Sequence, residues 1–563
     1  MSDIRRAVLA ISIPVMLSSA AFAQNDLSAQ APAARPLFTD VTQESGIADV
    51  VRQHKQFMAE ALAKRGDPEY REWWLSGFTL LDLDGDGSLD LHLGGHGQYA
   101  TFAYNDGKGH FTRVDGKYDV KRGSQKPDQA ANPDIPFPGG EIRLVYDLNE
   151  DGKLDLLTSY GDSAGQVYLN DSKPGNPPVF NCKPYDAGFD AFSRGTAMVD
   201  LNRDGIVDYM CTGDQGRRSE FNTLNVSLGK GDGKWEGGPK ITVPKEAGAI
   251  PVDINGDGLL DLLASQRGYN PSRRWILLND PRAAATMPST VPASHRLAFT
   301  RSLDSGLSEN GTIQGVGDLN QDGNLDLICI DEVPVDAASA ATTRPVTKLQ
   351  LAVYFNDGKG HFTRQLVEGL RTPKMANWGG AVVADFDNDG IADFVVNGRN
   401  FLYFFRGTSQ GKFELANAQW GLPDSIGPAV DEGLCFGDID GDGDLDVVTY
   451  APNQNRGVAV YRNDTPTKHW LNVELVGKKG NQGAAGSIIR ILEPNTGKLL
   501  WHEQVAIWGR QSFHSYYFAA NTQRHFGLGD RQSVDAEVIF YPSGKKVQNK
   551  AITADKTITM RED

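Results

Sequence analysis

The stretch Asp385-Phe386-Asp387-Asn388-Asp389-Gly390-Ile391-Ala392-Asp393 carries aspartates at its first, third, fifth and ninth positions and a glycine at its sixth. Four carboxylates spaced this way converge only if the backbone turns sharply, and the glycine permits that turn. Before it runs Gly380-Ala381-Val382-Val383-Ala384, and after it Phe394-Val395-Val396. Both are short apolar runs bounded by turn residues, so they read as β-strands on either side of an acidic turn. Phe401-Leu402-Tyr403-Phe404-Phe405 and Lys412-Phe413-Glu414-Leu415 then supply a third and a fourth strand.

The pattern recurs seven times along the 563 residues. Its side-chain oxygens are Asp82, Asp84, Asp86 and Asp90 in the first copy, then Asp147, Asn149, Asp151 and Asp155, then Asp200, Asn202, Asp204 and Asp208. Asp253, Asn255, Asp257 and Asp261 follow, then Asp318, Asn320, Asp322 and Asp326. The last two sets are Asp385, Asp387, Asp389 and Asp393, and Asp438, Asp440, Asp442 and Asp446. The starts are 65, 53, 53, 65, 67 and 53 residues apart, a period with loop insertions. Asn-Asp-Gly and Lys-Gly steps after Tyr104 and Phe355 mark tight hairpins between third and fourth strands. Four antiparallel strands per repeat predict an all-β fold, a seven-bladed β-propeller of four-stranded blades, whose ring hides its sheet edges. Insertions are expected at Asp331 to Gln350 and Pro281 to His295, and a helix at about Ile47 to Lys64.

Hard oxygen ligands in this number suit Ca²⁺, which takes six to eight oxygens. The seventh position varies freely (Ser88, Lys153, Ile206, Leu259, Asn324, Ile391, Asp444), as a backbone carbonyl ligand allows. An EF-hand also begins with this spacing, but it needs an acid at position 12 and flanking helices. Position 12 here is Leu93, Thr158, Cys211, Ala264, Cys329, Val396 or Thr449, and the flanks are strands. Crowded carboxylates repel, so the loops are expected to hold up to seven Ca²⁺ ions that tie the first two strands of each blade together. No general base or nucleophile accompanies any loop, so these ions read as structural.

The formal net charge is −16 and there is no basic stripe, which argues against nucleic acid as a partner. Arg5 and Arg6 precede an apolar run from Ala7 to Ala23 that ends Ala21-Phe22-Ala23. This reads as a signal peptide over residues 1–23, cleaved after Ala23, followed by a flexible leader over 24–36. The expected location is secreted or periplasmic, with no membrane span after cleavage. Cys182, Cys211, Cys329 and Cys435 show no metal spacing; the last three lie in apolar strand contexts and read as buried small hydrophobes.

These loops and strands resemble the FG-GAP/VCBS propeller repeat, also found in the head of integrin α chains. Asn463-Asp-Thr-Pro-Thr-Lys-His-Trp-Leu-Asn-Val-Glu-Leu475, Gly483-Ala-Ala-Gly-Ser-Ile-Ile-Arg490, His525-Phe-Gly-Leu-Gly529 and Val538-Ile-Phe-Tyr-Pro-Ser-Gly544 are similar to an ASPIC/UnbV domain. With Phe38-Thr-Asp-Val-Thr-Gln-Glu-Ser-Gly-Ile47, the whole resembles the cartilage-acidic-protein-like family. The resemblance implies the propeller and the calcium sites, and it brings no established enzymatic activity. Gly483-Ala484-Ala485-Gly486 departs from the family's usual Gly-Ile-Gly-Ala step.

The expected layout is therefore a propeller over 37–465 and a small ASPIC/UnbV-like β domain over 466–563. The seventh repeat lacks a clear fourth strand before the C-terminal region, so residues 37–46 are expected to close it. By topology the acidic turns share one face of the disc. The opposite face collects Trp73, Trp74, His96, Tyr160, Arg217, Arg218, Arg267, Tyr269, Trp378, Asn397, Arg399 and Arg456. Aromatic rings with Arg and Asn suit sugars or anionic polymers. The pattern favours a binding, adhesion or scaffold module for an extracellular or periplasmic protein or glycan. The alternative is a polysaccharide lyase or hydrolase with its site on that face, which would need a His near a Tyr and an Arg. His502, His514 and His525 have no ligand spacing and read as core or surface residues.

Overall fold

The computed structural model describes residues 36–65, 75–95, 101–114, 141–160, 163–171, 180–183, 194–213, 221–231, 233–244, 247–266, 272–336, 347–369, 380–398, 401–423, 434–451, 457–466, 468–505, 507–508 and 523–563. Residues 1–35, with the expected signal peptide and nearly all of the leader, lie outside the described residues.

Each acidic repeat forms one antiparallel sheet whose strands follow in chain order. Six of these sheets span 75–113, 141–183, 194–244, 247–301, 311–366 and 381–415. The seventh is Leu434–Gly437, Asp446–Tyr450 and Val458–Asn463, and its fourth strand is Phe38–Asp40 from the other end of the chain. Phe38 lies opposite Asn463 and Asp40 opposite Tyr461. Phe38 is buried against Phe404 and Trp420, which gives the added strand an apolar anchor. The helix Ile47–Arg65 follows, with Ile47, Val50 and Val51 turned into the same core.

Consecutive sheets share apolar cores. Leu81 and Phe102 of the first sheet pack with Val145 and Leu156 of the second. One core joins the second, third and fourth sheets through Leu157, Met198 and Leu262. Ile250 and Ile313 share a core between the fourth and fifth, and Ile328 and Phe394 one between the fifth and sixth. A last core takes in Phe404 of the sixth, Phe436 of the seventh and Leu80 of the first. A strand with a sheet on each face is buried along its whole length, and Ala247–Val252 and Asp261–Gln266 are.

Two positions differ from the sequence reading. Asp331 to Gln350 is not one insertion: Asp326–Pro334 and Thr347–Asn356 pair as far as Pro334 opposite Thr347, a long hairpin that extends the sheet. Asn397 does not belong to a ligand face, because it is buried and its side-chain oxygen accepts from the Gly380 N–H at 3.3 Å. Between the strands Arg274–Asn279 and Phe299–Arg301 the chain forms the helix Pro281–Ala285, capped by Asp280, and a 3₁₀ turn, Ala293–His295.

The C-terminal strands form two further sheets around their own core, which includes Leu471, Ile489, Phe526 and Val538. In one, His469–Val476 lies between Gln523–Gly529 and the parallel strand Lys556–Arg561. The other runs Leu499–Gln504, Ile488–Leu492, Ser533–Ile539, Lys546–Thr553. Both sheets rest on the acidic loops. The Val207 N–H donates to the Gly480 carbonyl and the Gly529 N–H to the Asn388 carbonyl, both at 2.9 Å. Gln504 accepts from the Asp253 N–H at 2.9 Å, and Gln321 donates to the Leu500 carbonyl at 2.7 Å. Ile507–Trp508 adds a short strand to the free edge of Arg194–Val199 in the third sheet. Among the described residues no helix is long and apolar enough to cross a membrane.

Candidate metal centres

The seven acidic loops share one geometry. The first Asp accepts from the N–H of the fifth residue and from that of the sixth, as Asp147 does from Asp151 at 3.0 Å and Gly152 at 2.8 Å. The fifth residue in turn accepts from the seventh N–H, as Asp151 does from Lys153 at 3.0 Å. The sixth-position glycine has φ of 94° at Gly87 and 86° at Gly390, a region that side chains disfavour. The fourth position is also left-handed. It is glycine at Gly85, Gly256 and Gly441 but Glu150, Arg203, Gln321 and Asn388 in the other loops.

The ninth Asp does more than its place in the pattern indicated. In all seven loops it is buried and accepts two backbone N–H groups. One comes from the loop's second residue: Leu83, Leu148, Leu201, Ile254, Leu319, Phe386 and Ile439. The other comes from the third strand: Asn105, Asn170, Gly229, Asn279, Asn356, Gly407 and Asn463. The ninth carboxylate therefore pins the acidic turn to the third strand of its own sheet. In the first, fifth and seventh sheets the third-strand Asn then reaches a neighbouring repeat. Asn105 donates to the Ile439 carbonyl at 2.8 Å, Asn356 to Ile254 at 2.8 Å and Asn463 to Phe386 at 2.7 Å. The Asn-Asp steps that end these strands, at Asn105, Asn356 and Asn463, are the sequence signal for this role.

In three loops the carboxylates crowd within 4.8 Å of one another: Asp82, Asp84 and Asp86; Asp385, Asp387 and Asp393; and Asp438, Asp440 and Asp446. Loops two to five carry Asn at the third position. There Asn149, Asn202, Asn255 and Asn320 each donate to the fifth-position carboxylate at 2.9–3.1 Å, which relieves part of the repulsion. In the sixth loop Arg406 from the third strand serves instead, reaching Asp387 at 2.5 Å and Asp389 at 2.6 Å. Arg462 holds the matching place beside Asp440 in the seventh.

The electrostatics ask for a cation. Burial is the largest cause that raises these carboxyls, with neighbouring carboxylates adding to it. Asp155 and Asp261 are pushed to about 7, and Asp208 and Asp326 to about 8. Asp385, Asp393 and Asp446 rise well above the carboxylate range. Asp387 Oδ1 and Asp440 Oδ1 are buried without a hydrogen-bond partner. An all-oxygen donor set with buried, unpaired oxygens fits a hard divalent cation. Each of the three clusters can hold a metal ion.

The proposed ligand face is not placed. Trp73, Trp74, His96, Arg217, Arg218, Arg267, Tyr269, Trp378, Arg399 and Arg456 lie outside the described residues. Cys329 and Cys435 are buried, unbridged thiols inside second and first strands, and burial raises both. Cys211 is likewise buried.

FG-GAP-like repeats match residues 147–211, 200–264, 318–396 and 385–449. A comparison with curated proteins gives no match. Among solved structures the chain is similar to an Agrocybe aegerita lectin that recognises non-reducing terminal N-acetylglucosamine. That likeness has 19% identity over 70% of this chain and 88% of the lectin, with a TM-score of 0.39. The chain is also similar to an ulvan lyase bound to a saccharide of glucuronic acid and sulfated rhamnose. Here identity is 8% over 70% of this chain and 95% of the lyase, with a TM-score of 0.36. Neither likeness bears on what this chain binds. Each matched segment runs from one acidic loop to the strand after the next, and in those stretches the chain carries FG-GAP-like repeats.

Proposed function

We propose that the chain is an exported, closed seven-bladed β-propeller, stabilised by structural Ca²⁺ in its acidic loops, that serves as a binding or scaffold module for a protein or glycan. The observation that carries the ring is the chain of shared cores, which runs from sheet to sheet and returns from the seventh to the first. Calcium is the reading best supported by the donor set. Asp and Asn oxygens at positions 1, 3, 5 and 9 with a seventh-position carbonyl give the flexible, oxygen-rich shell that Ca²⁺ takes more readily than Mg²⁺. The C-terminal sheets, which we read as an ASPIC/UnbV-like domain, rest on the loop side, and this reading leaves the opposite side for a partner.

The test is a screen of the mature protein against immobilised glycans and extracellular proteins, with calcium and with chelator. Retained binding that Arg267→Ala or Trp378→Ala weakens about tenfold supports the reading. Binding untouched by both changes, or depolymerisation of a polysaccharide by the protein, contradicts it.

A further inference from the structure

The seven acidic loops do not meet solvent equally. Gly85, Asp86 and Gly87 in the first loop are exposed, and a cavity of 280 Å³ adjoins it, lined by Ser88, Asp438 and Trp470 among others. In the sixth loop Asp385 and Asn388 are at most 1% exposed under the C-terminal sheet, whereas the matching Asp82 of the first loop is half-buried and Gly85 exposed. Gly527 lies so near that a Cβ there would meet Asp385 Oδ2 at 2.0 Å. Asn388 accepts through its backbone carbonyl from the Gly529 N–H, and its Oδ1 lies 2.8 Å from His525 Nε2. Its amide donates to Asp444 of the seventh loop at 2.7 Å.

The fourth position supplies the grip. Asn388 and Gln321 hold left-handed backbone, φ 52° and 59°, where glycine serves in three of the other loops. That conformation disfavours most side chains, asparagine least, and Glu150 and Arg203 hold it in the second and third loops. What Asn388 and Gln321 contribute here is a contact with the C-terminal sheets. Asn388 meets His525, and Gln321 bonds to the carbonyls of Leu500 and Gly390, the latter in the sixth loop itself.

We infer that the C-terminal sheets form the lid of the sixth cation site, so that loading of that site and docking of the sheets are linked. The inference rests on the calcium reading above. Linkage is reciprocal: if docking of the sheets raises the ion affinity of the site, the loaded site holds the sheets down by the same factor.

The experiment uses the full mature chain loaded with Ca²⁺. Bound ions are counted by elemental mass spectrometry, and a chelator is then added while release is followed with a fluorescent calcium indicator. The expected result is a fast majority and a minority retained at least about tenfold longer. Asn388→Gly and Gln321→Gly relax the backbone but also remove the bonds to Asp444 and to the Gly390 carbonyl, so a purely local role predicts a modest loss of stability with unchanged release. The lid predicts that the slow class leaves about tenfold faster and that amide hydrogen exchange rises in Gln523–Gly529 and Leu499–Gln504. Ions released in one fast class, or variants that change neither release nor exchange, overturn the lid and leave the calcium reading standing. A chain that binds no ion overturns both.

Discussion

The side-chain amide of Asn105 donates to the backbone carbonyl of Ile439 at 2.8 Å, a contact between residues 334 positions apart that joins the first sheet to the seventh. The same amide also donates to the Leu89 carbonyl of its own sheet at 3.1 Å. One buried side chain thus satisfies two carbonyls, and one of them belongs to the seventh repeat.

Asn105→Ala should leave both carbonyls without this donor in a buried setting. The expected loss is about 2 kcal/mol of stability, since each unsatisfied buried group costs on the order of 1–3 kcal/mol. Denaturant unfolding of parent and variant, both loaded with calcium, checks it. A midpoint that does not move would show that the contact contributes nothing to stability.

Arg406 is the internal cation of the sixth loop. Arg406→Met should destabilise the metal-free protein by about 3 kcal/mol, because it strands two partly buried carboxylates, Asp387 and Asp389. Calcium should recover much of that loss, because a divalent ion can take over the neutralisation. Thermal melts with and without calcium give the comparison, and an equal loss in both conditions would count against a cation site in this loop.

The acidic turns were legible because every residue that shapes one lies within nine positions. Asp385, Gly390 and Asp393 each stand out in the local pattern alone. The tie from Asp393 to the Gly407 N–H was not legible, because it joins a turn to a strand whose register only the folded sheet defines. The seat of Asn388 beneath Gly529 was hidden for the same reason, being a contact between segments 141 residues apart by number. The hairpin around Pro334 and Thr347 was misread because its polar, alanine-rich tip resembles a loop, while pairing with a neighbouring strand carries the ladder further than the apolar pattern reaches.

His502 is buried in the C-terminal core, and burial, helped by Arg490, lowers it from 6.5 to about 4. The unfolded chain takes up a proton between those values while the folded one does not. Its contribution is therefore complete above pH 6.5 and lost as the pH falls toward 4, a change of roughly 3 kcal/mol. His502→Leu should flatten that part of the stability profile. Chemical denaturation of parent and variant at a series of pH values measures the difference, in which the other titrating groups cancel. Parallel profiles would refute the assignment.

The central claim is that cations in the acidic loops hold the sheets together, and thermal unfolding of the mature protein with calcium and after chelation tests it most directly. Binding energy at the loops is folding energy, so chelation should lower the transition by on the order of 10 °C or more, and added Ca²⁺ should restore it. A transition at the same temperature in both conditions, from a protein shown to be stripped of metal, would contradict the account.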